Sequence, residues 1–211
     1  MKRYSFAALI WLLVFVACTG AAGLSYAYID MPLAHYFVGV PLHRHRLSVG
    51  LGSAVILSAE AVTVLVLVFV RLLRGRLSPL AETLGVACVA SICAYGIDSS
   101  ALKIFFGVPT PIAVMQGAEH AFHLWMGSKD DSFPSGHMML ASAFAGVFMR
   151  LYRTSIWPLS GMLVLAAALL IVGNWHFLSD IIVGTFLGIS AGLLAGEAWA
   201  ARSKSGPAKG T

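Results

Sequence analysis

Charge is what this sequence has least of. Asp, Glu, Lys and Arg make up 11% of its 211 residues, while 59% are hydrophobic and the mean hydropathy is +0.85. A water-soluble domain carries about twice that charge. The composition therefore excludes an ordinary soluble enzyme and leaves a polytopic membrane protein. Cysteine is also scarce. Cys18, Cys88 and Cys93 all lie in apolar segments without C-x-x-C spacing, which argues against a disulfide framework or a cysteine zinc site. No polar stretch is long enough for a second, soluble domain, so residues 1–211 read as one membrane domain.

What the chain does have is apolar length. Six windows of the size needed to cross a bilayer run over about 6–28, 48–73, 80–102, 136–152, 156–174 and 177–200. The expected fold is all-α, a bundle of about six transmembrane helices. Met1-Lys2-Arg3 ahead of an apolar run has the pattern of a signal peptide, with Cys18 in a loose lipoprotein context, as the alternative reading. The run continues to Tyr28, however, so a retained first helix is expected. Gly184, Gly188 and Gly192 in "GTFLGISAG" give the small-residue spacing of a helix-packing face.

The net charge of +5 is explained by topology and not by nucleic acid. Ten of the fourteen Lys and Arg residues fall on one side of the windows: Lys2, Arg3, Arg71, Arg74, Arg76, Arg150, Arg153, Arg202, Lys204 and Lys209. The positive-inside bias places that side, with both termini, in the cytoplasm of a cell (inner) membrane. The opposite, outer face then receives all seven histidines: His35, His43, His45, His120, His123, His137 and His176.

Three clusters meet at that outer level. "LKIFFGVPTP" carries Lys103 at the end of the third window, where snorkelling to the interface is the plain alternative. Asp98, about one turn earlier, is placed to tether it. "SFPSGH" opens the fourth window. Ser132 or Ser135 is a natural helix cap there, and the N–H groups of Ser135 and Gly136 suit a phosphate at a helix N-terminus. "GNWHFLSD" sets His176 four residues before Asp180, close enough for the carboxylate to hold the imidazole in one tautomer. Together the clusters supply an anion cradle, a nucleophile with its orienting carboxylate, and a second histidine, His137, as proton donor.

These clusters resemble the signature of the type 2 phosphatidic acid phosphatase superfamily, membrane relatives of the vanadium haloperoxidases. Its pattern runs K-x6-R-P, P-S-G-H and S-R-x5-H-x3-D. Pro134-Ser135-Gly136-His137 matches in full, His176-x3-Asp180 matches the last half, and Lys103 and Pro111 bracket the first motif. The resemblance implies an integral-membrane phosphatase acting on a lipid phosphate or diphosphate at the extracytoplasmic side. His176 is the implied nucleophile forming a phosphohistidine, Asp180 its orienter and His137 the acid. Lys103, Ser135 and Gly136 are the implied phosphate ligands, with no metal or other cofactor and no nucleic-acid partner. The pattern's two arginines are replaced by Thr110 and Leu170, and neither side chain reproduces a bidentate guanidinium. Asn174, His120, His123, Lys129, Arg44 and Arg46 are the outer-face groups available in their place, Asn174 and His123 foremost. The alternative is a family member with weakened or no catalysis that binds lipid phosphate or acts as a scaffold. A transporter is the weaker third reading, with Glu60 as its deepest acid.

Overall fold

The computed structural model describes residues 2–40 and 46–204, with side chains described for 8–40 and 52–202. Arg44, His43 and His45 lie outside the described residues, and so does the side chain of Arg46. Every regular element described is helical. In chain order these are α1 (Lys2–Leu24), α2 (Asp30–Phe37), α3 (Arg46–Arg74), α4 (Pro79–Ile97), α5 (Lys103–Phe106), α6 (Pro111–Met115), α7 (Gly136–Leu151), α8 (Ile156–Val172) and α9 (Leu178–Lys204). Two π-helical segments, Ser25–Ile29 and Asp98–Leu102, join α1 to α2 and α4 to α5.

Five stretches are long and apolar enough to cross a membrane: Ala8–Phe37, Gly52–Arg74, Pro79–Met115, Arg153–Val172 and Leu178–Arg202. α7 is a shorter apolar helix. Large apolar side chains stand exposed on these helices, among them Leu13, Val16, Leu65, Leu72 and Val164. A surface of that kind belongs against hydrocarbon. The all-α expectation with six principal apolar helices holds.

The chain forms two compact units, one of Met1–Arg46, Asp98–Ser135 and Ala167–Phe186, the other of Leu47–Ile97, Gly136–Ala166 and Leu187–Thr211. In the first, Trp11 and Phe15 of α1 pack on Phe186 of α9, with ring centroids 5.1 and 5.8 Å apart. The first helical course runs on to Phe37, well past the window that ends at Tyr28. Asp30 gives the appearance of a loop because an acid in an apolar run signals exposure. It is instead buried, at 1% exposure, and hydrogen-bonded. Pro32 lacks an N–H and would crowd the carbonyl of Tyr28 in a regular helix. The wider π turn at Ser25–Ile29 lies where that crowding would occur.

In the second unit α4 packs along α7, with Ala87, Ala90 and Val147 at the centre and Phe144 and Phe148 against them. Ser91 Oγ donates to the Leu140 carbonyl at 3.0 Å. α7 also meets the later part of α9 through small residues. A Cβ on Gly192 would strike the carbonyl of Ala143, so the glycine is required for the approach.

Gly192→Val is expected to destabilise the protein by about 1–3 kcal/mol through overpacking. Gly20→Ala, where a Cβ meets open space, is expected to be neutral or slightly stabilising. Equilibrium unfolding in detergent micelles checks both.

Candidate active site

The site is built on the turn between α8 and α9. Gly173, Asn174 and Trp175 close α8 by donating to the carbonyls of Leu169, Ile171 and Leu170 at 2.9, 2.9 and 3.1 Å. Asn174 sits in the left-handed region at φ 52°, which asparagine tolerates better than most residues. Its side-chain amide nitrogen donates to the Ala34 carbonyl at 2.9 Å, so it ties the turn to α2. That commitment replaces the expected role as a phosphate ligand with a structural contact.

His176 lies just before α9 rather than within it, and is 5% exposed. Asp180 is the third residue of the helix and fully buried. Its Oδ2 accepts from the Phe177 N–H at 2.7 Å, the reach-back of a capping box. The same oxygen accepts the Ser132 hydroxyl proton. His176 Nδ1 is 3.1 Å from the Ser132 carbonyl oxygen, 3.3 Å from Ser132 Oγ and 3.5 Å from Asp180 Oδ2. The sequence spacing pointed to Asp180 as the direct holder of the ring. The geometry gives the closest of these contacts to the Ser132 main chain, with Asp180 fixing Ser132 and the helix start around it.

This arrangement decides the tautomer. A carbonyl oxygen only accepts, and the Ser132 hydroxyl proton is directed to Asp180, so Nδ1 faces three acceptors. In the neutral imidazole the proton therefore sits on Nδ1, and Nε2 keeps its lone pair.

The loop carrying Ser132 is held from both directions. Ser132 N–H donates to the Val108 carbonyl at 2.7 Å, which ties the PSGH loop to the segment after Lys103. Ser135 N–H donates to the Asp180 carbonyl at 3.1 Å. That bond corrects one expectation, because this N–H is used inside the protein and is not a phosphate donor. Ser135 is fully buried, and a Cβ on Gly184 would come within 2.6 Å of its carbonyl oxygen, so the glycine lets α9 pass close beneath the loop. Gly136, buried, opens α7, and half-buried His137 follows it. The N–H groups of a first helical turn have no acceptor within their own helix.

Lys103 Nζ lies 4.0 Å from Asp98 Oδ2, with 12% of its side chain exposed. Asp98 is fully buried, and neither of its carboxylate oxygens has a hydrogen bond. Asp180 is within electrostatic reach of Lys103, Asp98 and His120. Thr110, at one arginine position of the pattern, is a buried N-cap whose hydroxyl accepts from Ala113 N–H at 3.4 Å. Leu170, at the other, is buried at the end of α8. His123 is half-buried just before the turn at 124–125, its N–H donates to the Gly107 carbonyl at 3.4 Å, and Lys129 is exposed.

Residues 83–203 match the sequence model of the PAP2 superfamily. The chain belongs to the PAP2 superfamily. No curated protein and no solved structure gives a significant match to it. The matched region of this PAP2 superfamily chain holds Lys103, Ser135, His137, His176 and Asp180 but leaves out α1, α2 and α3.

A brace on the site comes from that omitted part. Asp30 Oδ1 accepts from Ser25 Oγ at 2.7 Å and from Ser179 N–H at 3.1 Å, and its Oδ2 accepts from Ser179 Oγ. Two carboxylates, Asp30 and Asp180, thus cap the start of α9, where negative charge is favoured. Sequence reasoning missed Asp30 and the role of Ser132. An acid inside an apolar run was the available signal for the first; for the second, a main-chain carbonyl leaves none.

His120 packs its ring 4.5 Å from those of Tyr26 and Phe177, and its carbonyl accepts the Tyr26 hydroxyl at 2.8 Å. Burial pushes His120 below its ordinary value of 6.5, and the Asp30 and Asp180 carboxylates offset this only in part.

Asp30→Ala leaves Ser179 without its acceptor and is expected to cost about 2 kcal/mol or more. Asp30→Asn, which keeps an acceptor, should recover part of the loss, both measured by thermal unfolding in detergent micelles. Because the folded value of His120 is depressed, its share of stability is complete above 6.5 and falls as the pH drops below it. His120→Phe is expected to flatten that part of the unfolding-temperature profile, measured between pH 5 and 8.

Proposed function

We propose that this PAP2 superfamily chain is a membrane phosphatase that hydrolyses a lipid phosphate or diphosphate at the outer face of the cell membrane. The observation that carries this reading is the set of acceptors around His176 Nδ1, which favours the proton on that nitrogen and an unprotonated Nε2. Family members usually act as phosphatases on lipid phosphates, and the Lys and Arg distribution favours an outward-facing site with cytoplasmic termini.

In the proposed reaction Nε2 attacks phosphorus and the bond from phosphorus to the leaving oxygen breaks. His137 delivers a proton to that oxygen, and a phosphohistidine remains. Water then attacks the phosphohistidine while His137 takes up a proton, which releases inorganic phosphate and restores the neutral His176. Asp180 holds Ser132 and the helix start so that Nδ1–H stays directed inward through both steps. Lys103 and the Gly136 N–H at the start of α7 bind the phosphoryl oxygens. The chemistry uses no metal or organic cofactor.

Thr110 and Leu170 in place of the two arginines leave more of the phosphate charge to Lys103. Its removal is therefore expected to be severe.

Phosphate release from a panel of lipid phosphates and diphosphates, by purified protein in detergent micelles, tests the reading. His176→Ala is expected to lower turnover by about 10³-fold or more, and Lys103→Gln by about 10²-fold. An acid-labile phosphate on His176, found by mass spectrometry after rapid quench, is the expected intermediate. Absence of turnover on every substrate, with lipid phosphate still bound, would favour the binding or scaffold alternative. Turnover by His176→Ala equal to wild type would remove His176 from the mechanism.

A further inference from the structure

Glu60 sits at the middle of α3, about 20 Å from either end at the rise of an α-helix. It lines a groove of about 490 Å³ formed by α3, α4, α7 and α8 of the second unit, and it is the one carboxylate there. The rest of the lining is almost wholly apolar, including Ile56, Leu84, Phe144 and Leu163. Glu60 is 8% exposed, and its Oε2 is buried without a hydrogen-bond partner.

The partner of its other oxygen shows which atoms are still available. Glu60 shares a hydrogen bond with Ser91. The Ser91 hydroxyl also donates to the Leu140 carbonyl at 3.0 Å, so its single proton is shared between that carbonyl and Glu60. It does not serve Oε2, which is left as a buried acceptor with nothing to accept. A buried acceptor of this kind costs about 1–3 kcal/mol until a donor reaches it.

Depth and chemistry then select the donor. A charged headgroup or an ester-bearing glycerolipid would have to bring unpaired polar groups to the bilayer centre. A simple long-chain alcohol brings one hydroxyl, which can donate to Oε2, and a chain that fills an apolar groove. We propose that the Glu60 groove is a binding site for a single-chain membrane alcohol, held by its hydroxyl on Glu60 Oε2. Binding of this kind is independent of turnover at His176.

Photocrosslinking of the full chain in detergent micelles with a diazirine-bearing hexadecanol tests the site, with labelled peptides mapped by mass spectrometry. Labels are expected on the peptides of α3, α4, α7 and α8 that line the groove. Unlabelled hexadecanol should compete about tenfold better than hexadecane, the value of one net hydrogen bond. Glu60→Leu should abolish that preference, while Glu60→Gln, which keeps both an acceptor and a donor, should stay within about threefold of wild type. Equal competition by hexadecane on the wild-type protein would overturn the role of the hydroxyl, whether or not the Leu variant folds. Stronger competition by dioleoylglycerol than by hexadecanol would overturn the single-chain occupant.

Discussion

A single main-chain oxygen, the carbonyl of Ser132, governs the site. By lying 3.1 Å from His176 Nδ1 it favours the proton on that nitrogen and the lone pair on Nε2. Ser132 in turn keeps its place because its N–H is bound to Val108, its hydroxyl to Asp180, and Ser135 N–H to the Asp180 carbonyl. Asp180 thus binds the PSGH loop and caps α9 with one carboxylate. Such a group acts mainly by orientation, and its loss should disturb the ring more than the local charge alone would suggest.

The same economy extends to the N-terminal helices. Asp30 closes on Ser179 from a position 149 residues away in sequence, and Asn174 reaches Ala34 from the same turn. The matched PAP2 region begins only at residue 83, yet the turn bearing His176 is held partly by residues before it. The turn bearing His176 is in this sense clamped from the chain's first helices, through a buried acid that hydrophobic patterning alone would place in a loop.

The helices were legible because apolar length is a local property. The windows at 48–73, 136–152 and 177–200 match α3, α7 and α9 to within a few residues. The motif residues were legible because their types and spacing are chemical. What stayed hidden is non-local. Nothing near Asp30 in sequence announces Ser179, whose N–H and hydroxyl donate to it at the start of the helix Asp30–Phe37. Ser132 was visible only as a cap, because its decisive atom is one that every residue possesses. Thr110 and Leu170 were legible as departures, while their roles as a helix cap and a buried helix end needed the coordinates.

The tautomer of His176 is the most direct measure of this account. Nitrogen-15 NMR of protein labelled at histidine, with His176 assigned by difference against His176→Asn, reads each ring nitrogen separately near neutral pH. The predicted result is a protonated Nδ1 and an unprotonated Nε2. A protonated Nε2 with a bare Nδ1 would contradict it, since a ring in that state offers no lone pair to phosphorus from the side proposed.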